Sequence, residues 1–159
     1  MTGQVLHKAG VVGAGSFGTT VSTLLAHNAD VLIYARRRDI VEQINAANTH
    51  LGIKLSSRIK ATSDFQELTS ECSLIFPIVP SENFRDTLRS LSPHLNPGHI
   101  LIHGTKGLDI SGIQLKDLNK TRISRSDIHT MSEVIRQETC VTRVGCLAGP
   151  NLYKEILQG

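Results

Sequence analysis

Apolar positions follow two alternating rhythms along this chain: short unbroken runs, and stripes at helical spacing. "KAGVV" (8–12) reads as a buried strand, and from Ser16 onward Phe17, Val21, Leu24 and Leu25 recur at i, i+4, i+7 and i+8, the period of a helix face. "DVLIYA" (30–35) is the next strand, apolar and β-branched at its centre, as a parallel strand covered on both faces should be. Asp39 stands in the first turn of a helix predicted to run to about Asn48.

Residues 49–62 carry no strong period, although "RIKAT" reads as a strand, and Ser63 with Gln66 reads as a capping box that opens a short helix. "CSLIFPIVP" (72–80) is a further apolar run whose Pro77 removes a ladder donor, which predicts an edge strand or a bulge. Ser81 is the expected cap of the helix that follows, with Phe84, Leu88 and Leu91 on its buried face. "HILIHG" (99–104) is another strand, Met131, Val134 and Ile135 mark a later helix, and "TRVGCL" (142–147) is a last strand. Residues 108–129, with Lys116, Lys120, Arg122 and Arg125, read as an exposed connection.

Strands and helices alternate at the spacing of right-handed crossovers, so the pattern predicts an α/β fold with a doubly wound, mainly parallel sheet. In such a sheet the ligand crevice lies at the carboxyl ends of the strands. A length of 159 residues fits one domain over 1–159, and 40% apolar with 19% charged residues is a globular composition. A net charge of +3, with its basic residues scattered, points to no nucleic-acid partner. Cys72, Cys140 and Cys146 are odd in number and lack C-x-x-C spacing, which argues against a disulfide framework or a zinc site. No apolar run approaches the ~20 residues of a membrane helix, and the start of the chain lacks the plan of a signal peptide; a cytoplasmic setting with reduced thiols is expected.

The candidate chemistry begins at "VVGAGSFGTT" (11–20). Strand, G-x-G-x-x-G turn and helix stand in the order that holds a dinucleotide: Gly13 for the tight turn, Gly15 for approach of a pyrophosphate to the backbone, Gly18 for close packing of helix on strand. The alternative is a glycine turn with a purely structural role. After the second strand come Arg36-Arg37-Arg38 where NAD-selective sites usually place an acid; arginine there accommodates a ribose 2′-phosphate, so NADP(H) is favoured and NAD(H) stays open. The alternative for the arginines is a solvated charge cluster.

Further stretches become informative as an ordered series: "ATSDF" (61–65), "PSENFR" (80–85), "GTKGL" (104–108), "MSEVI" (131–135) and "LAGPNLYKEI" (147–156). With "GAGSFGTT" they resemble the cofactor-binding half of bacterial NAD(P)-dependent glycerol-3-phosphate dehydrogenase over about residues 8 to 159. The resemblance implies a Rossmann-type fold and an oxidoreductase that interconverts sn-glycerol 3-phosphate and dihydroxyacetone phosphate, a supplier of phospholipid precursor. It places Ser16 and Phe17 at the cofactor phosphates, Arg36 and Arg37 at the adenosine ribose, and Pro80 and Ser81 in the cofactor crevice. Lys106 falls where the family's lysine looks toward both nicotinamide and substrate, as catalytic, cofactor and substrate residue in one. Gly149 and Asn151 match positions that help hold the substrate.

The chain departs from the family's pattern at two places: "THLGIKLSS" (49–57) replaces a Tyr-Leu-Pro segment, and Tyr153 replaces a small residue. In the family a helical domain follows and contributes a second lysine, the acid/base, and most contacts to the substrate phosphate. The resemblance therefore implies that these 159 residues, taken alone, bind cofactor without turnover. Two other readings stay open: a stand-alone dinucleotide-binding or sensing module, and a dehydrogenase of another 2-hydroxy or 2-keto compound.

His99 and His103, four apart in a strand and so roughly 13 Å from each other, are too distant to share a metal and read as packed or surface histidines. Cys146 reads as a buried structural thiol with no base beside it. No G-x-x-x-x-G-K-[ST] occurs, which argues against a P-loop hydrolase.

Overall fold

A computed structural model of the protein describes residues 8–110 and 123–149. In chain order the elements that build the domain are β1 (Lys8–Val12), α1 (Ser16–Leu25), β2 (Asp30–Tyr34), α2 (Arg38–Ala47), β3 (Thr49–His50), β4 (Ile53–Lys54), β5 (Ile59–Thr62), α3 (Phe65–Glu71), β6 (Leu74–Pro77), α4 (Ser81–Leu91), β7 (Ile100–His103), β8 (Leu108–Ile110), β9 (Ile128–Thr130), α5 (Met131–Glu138) and β10 (Arg143–Cys146). Six of the strands form one sheet in the order β10-β7-β6-β1-β2-β5, every pair parallel. That is the doubly wound order in which the winding reverses between the first and fourth strands, here between β1 and β6.

Helices cover both faces because strand residues alternate. Leu32, flanked by Val31 and Ile33, packs on one side with Leu68, Phe84, Leu88, Met131 and Ile135 from α3, α4 and α5. Val31 and Ile33 turn to the other side, with Val11, Val21 and Ile44 from β1, α1 and α2. The period of two along each strand thus feeds two cores, which is why the central strands read as unbroken apolar runs.

Several local expectations change. Pro77 does not mark an edge: β6 lies inside the sheet, and its pairing with β7 stops at Ile75↔Leu101, before the position where the missing N–H would be needed. On the β1 side the ladder continues through Val12↔Pro77, and Ile78 N donates to Val12 O at 2.8 Å. The cap of α3 is Asp64, whose side chain accepts from Gln66 N, in place of Ser63. The cap position of α4 is Pro80, and Ser81 is its first helical residue. Leu24, counted on the buried stripe of α1, is exposed, while the small Thr19, Thr20 and Ser22 are buried and let the helix approach the sheet.

Two antiparallel strand pairs lie apart from the main sheet. β3 and β4 pair antiparallel around Leu51 and Gly52, whose φ values of 51° and 74° make the tight primed turn that suits strand twist. β8 and β9 pair antiparallel at the two ends of the stretch expected to be an exposed connection. Lys116, Lys120 and Arg122 within it lie outside the described residues. Arg85 of α4 binds Asp109 of β8 at 2.7 Å and also Glu138 of α5, so the β8–β9 pair is tied to two helices by one half-buried guanidinium.

Candidate functional site

The glycine turn explains itself once each absent side chain is considered separately. Gly13 has φ +119°, and a Cβ there would lie 2.1 Å from Ile78 O; its N–H is already used, donating to Tyr34 O at 3.1 Å. A Cβ on Gly18 would lie 1.9 Å from Gly13 O, so Gly18 is what lets α1 close on the turn. Gly15 differs from both. Its φ is −78°, an ordinary conformation, and nothing lies within 4 Å of where its Cβ would be. Two of the three glycines are needed by the fold, and the third faces open space.

That space is a cavity of about 520 Å³ at the carboxyl ends of β1, β2 and β6, lined among others by Gly13, Gly15, Arg36, Arg37, Pro80 and Asn83. Gly15 is also the N-cap of α1, with no side-chain cap and no acidic residue in the first turn. The first helical hydrogen bond runs from Thr19 N to Gly15 O at 2.9 Å, so the N–H groups ahead of it have no partner within the helix. An uncapped N-terminus with its partial positive charge at the mouth of a cavity suits a phosphate. Ser16 and Phe17 occupy that first turn beside the cavity lining, and Gly18 is buried behind it.

Arg36 and Arg37 line the far wall of the same cavity. Arg37 Nε donates to Asp39 Oδ1 at 3.1 Å, and this hydrogen bond holds the Asp39 carboxyl below its ordinary value of 3.8. Arg36 has no ion pair among the described residues. Tyr34 and Phe65 line the same cavity, and their rings stack with centroids 3.8 Å apart.

A second cavity, of about 620 Å³, contains Lys106, Gly149, Thr105, His103, Ser132 and Cys146 in its lining. Thr105 Oγ1 donates to Val79 O at 2.7 Å, and Val79 lines the first cavity, so the turns after β6 and β7 are bonded across the boundary between the two. Lys106 is exposed; Gly107, at φ +116°, brings the same turn against Ser81, whose side chain would be 3.4 Å from a Cβ at 107. Ser81 lines neither cavity and acts as the abutment of that turn. Asn151 lies outside the described residues.

The two strand histidines are packed, whereas Cys146 is not the buried thiol expected. His99 and His103 are both buried; His99 Nε2 bonds Thr69 O and His103 Nε2 bonds Ser132 Oγ at 2.9 Å. Cys146 is exposed, not buried, and it is the ladder partner of His103. The neighbouring imidazole was invisible in sequence because the register of β10 on β7 decides it. Cys72 is the buried thiol, pushed up to about 12 chiefly by desolvation.

Burial also holds the His103 imidazole below its ordinary value of 6.5. The unfolded chain then takes up the proton first, so stability falls as pH drops below 6.5 and the loss levels off beneath the folded value. His103→Gln should show a smaller decrease in melting temperature between pH 7 and 5 than the wild type; equal decreases would remove His103 as the source.

The model of the NAD-dependent glycerol-3-phosphate dehydrogenase N-terminus matches residues 8–159. The chain belongs to this family. A glycerol-3-phosphate dehydrogenase [NAD(P)+] of Methanothermobacter thermautotrophicus is 34% identical over 154 residues, which covers 94% of this chain and 43% of that protein. One of Streptomyces griseus is 33% identical, covering 95% of this chain and 43% of the relative. The chain therefore spans well under half the length of the curated relatives it matches. Among solved structures, glycerol-3-phosphate dehydrogenase of Coxiella burnetii superposes with a TM-score of 0.78 at 22% identity, over 98% of this chain and 44% of that one. The family's fold is the one observed: a parallel six-stranded sheet between helices, of Rossmann type. Among the described residues no helix is long and apolar enough to cross a membrane, and no group of three or more His, Cys, Asp or Glu could hold a metal ion.

Proposed function

We propose that this chain is the cofactor-binding part of an NAD(P)-dependent glycerol-3-phosphate dehydrogenase, an oxidoreductase interconverting sn-glycerol 3-phosphate and dihydroxyacetone phosphate for phospholipid synthesis in the cytoplasm. The observation that carries the reading is Gly15: it needs no special conformation, its missing side chain faces a cavity, and it opens a helix with free N–H groups. A structural glycine turn accounts for Gly13 and Gly18 but leaves Gly15 unexplained.

In this reading Gly15, Ser16 and Phe17 hold the pyrophosphate of the dinucleotide, and Tyr34, Arg36, Arg37 and Pro80 surround the adenosine half. The nicotinamide ring would supply or accept the hydride, as the family's chemistry requires. Lys106 lines the second cavity with Gly149, and its ammonium would there stabilise negative charge developing on the substrate carbonyl oxygen; Asn151, outside the described residues, keeps its proposed part in holding the substrate. The acid/base lysine and the main holder of the substrate phosphate are assigned to the helical domain that the resemblance implies.

NADP(H) is the favoured cofactor because two arginines line the adenosine end of the cavity. The exposed Arg37–Asp39 pair is of the kind that contributes little stability, so Arg37 is released to a phosphate at small cost. Calorimetric titration with NADPH and NADH tests both the site and the choice. NADPH should bind about tenfold or more tightly, the effect of a charge-assisted contact, and Arg36→Glu should erase that difference. Equal affinities in the wild type at low salt would return the arginines to a solvated cluster; dinucleotide binding without dihydroxyacetone phosphate reduction by the full protein would favour a binding module.

A further inference from the structure

The segment 49–57, where the chain departs from the family's Tyr-Leu-Pro pattern, reaches the dinucleotide turn through one side chain. His50, on the β3–β4 hairpin, is 4% exposed, and its Nε2 lies 2.8 Å from the carbonyl oxygen of Ala14, between Gly13 and Gly15. A carbonyl only accepts, so the imidazole is the donor and carries its proton on Nε2. Its Nδ1 is buried without a partner among the described residues, which leaves the contact with Ala14 as the ring's hydrogen bond. Ala14 precedes the N-cap, so its carbonyl lies outside the α1 ladder.

The consequence lies on the other side of the same peptide. No peptide bond here is cis, and in a trans peptide the C=O and the following N–H point in opposite directions. With Ala14 C=O drawn toward His50, the N–H of Gly15 is turned away from the hairpin. Gly15 is the exposed member of the turn and lines the cavity. We propose that His50 is a positioning residue: by holding the Ala14 carbonyl from the buried side, it fixes the Gly15 N–H in the orientation that donates to a bound pyrophosphate. This rests on the dinucleotide reading given above.

The test compares ligands with and without the pyrophosphate, using the full chain. His50→Leu keeps an apolar side chain of similar size without the donor, and His50→Gln keeps an N–H at about the reach of Nε2. NADPH binding should weaken about tenfold in His50→Leu, the loss of one well-aimed donor to a charged group, and return to within about threefold of wild type in His50→Gln. Adenosine 2′-monophosphate, which lacks the pyrophosphate, should bind all three proteins alike. Equal weakening toward both ligands would mean that His50 only supports the fold, and no weakening toward either would mean that it does not orient the turn; each overturns the proposal. If His50→Leu does not fold, the wild type decides: the Gly15 amide resonance must shift on NADPH addition, with His50 showing the Nε2–H tautomer, and a Gly15 amide that does not respond overturns it. A wild type that binds neither NADPH nor NADH defeats the dinucleotide reading itself, an outcome seen before any variant is made.

Discussion

Gly15→Val is expected to abolish dinucleotide binding in a protein that remains folded. A Cβ at this position meets no atom within 4 Å, and the φ of −78° with ψ of 179° is extended backbone that a β-branched residue adopts readily. The cost to the fold is confined to a poorer helix cap, about 1 kcal/mol at most, partly offset by the lower entropy of the unfolded chain. Gly15 lines the cavity as the N-cap of α1, so the added methyl groups would crowd the approach to the N–H groups of that helix. Displacing a phosphate from two such donors costs about 1.5–3 kcal/mol for each charge-assisted bond, together roughly 10²–10⁴ in affinity. Gly13→Ala and Gly18→Ala are the contrasting pair: a Cβ at 2.1 Å from Ile78 O or at 1.9 Å from Gly13 O forces backbone apart, and both should lower the melting temperature markedly. Calorimetry with NADPH beside thermal unfolding of the three variants separates the roles. Loss of binding and of stability in equal measure for Gly15→Val would make this glycine structural as well.

The contrast among the glycines shows where sequence reasoning reaches its limit. The spacing G-x-G-x-x-G told that three side chains are absent, but which absence serves the fold depends on Ile78, some sixty residues away, and on the return of α1 to its own turn. Elements with a strong period were legible: β1, α1, β2, α4, β7, α5 and β10 all lie where the apolar pattern places them, because burial on two cores leaves a strong mark on composition. The weak points were those set by register or by single-residue turn geometry. Pro77 looks like a strand breaker until the early end of the β6–β7 ladder is known, and the hairpin β3–β4 hides because its turn puts Leu51 at positive φ, where glycine or asparagine would have signalled it. The Asp64 cap displaced Ser63 by one position, within the ambiguity of adjacent capping residues. In the site itself, the resemblance named Lys106 and Gly149, which line one cavity, whereas neither pattern nor resemblance pointed to His50, whose contact with the Ala14 carbonyl spans 36 residues.

Lys106→Ala should leave NADPH affinity within a few-fold of wild type while lowering the rate of dihydroxyacetone phosphate reduction by the full protein about 10²–10³-fold. The expectation follows from where the side chain stands. Lys106 lines the second cavity and not the one that holds Gly15 and the arginines, so most of the contacts proposed for the dinucleotide do not involve it. Its turn is fixed at both ends without it: Thr105 is bonded to Val79 O, and Gly107 adopts a positive φ against Ser81, so removing the side chain leaves the backbone in place. In the proposed function, what is removed is a positive charge that would act as the carbonyl oxygen becomes negative, an interaction stronger in the transition state than in the ground state, and loss of one such preorganised group typically costs about 10²–10³ in kcat. A methionine at 106 keeps most of the length without the charge and should be as slow as alanine, whereas arginine, longer and planar, should recover only part of the rate. The measurement is a kcat and KM pair for each variant beside a calorimetric Kd for NADPH. A reduction rate unchanged in Lys106→Ala, or a fall in rate matched by an equal fall in NADPH affinity, would move the charge-stabilising role away from this lysine and leave it as an exposed residue of a tightly held turn.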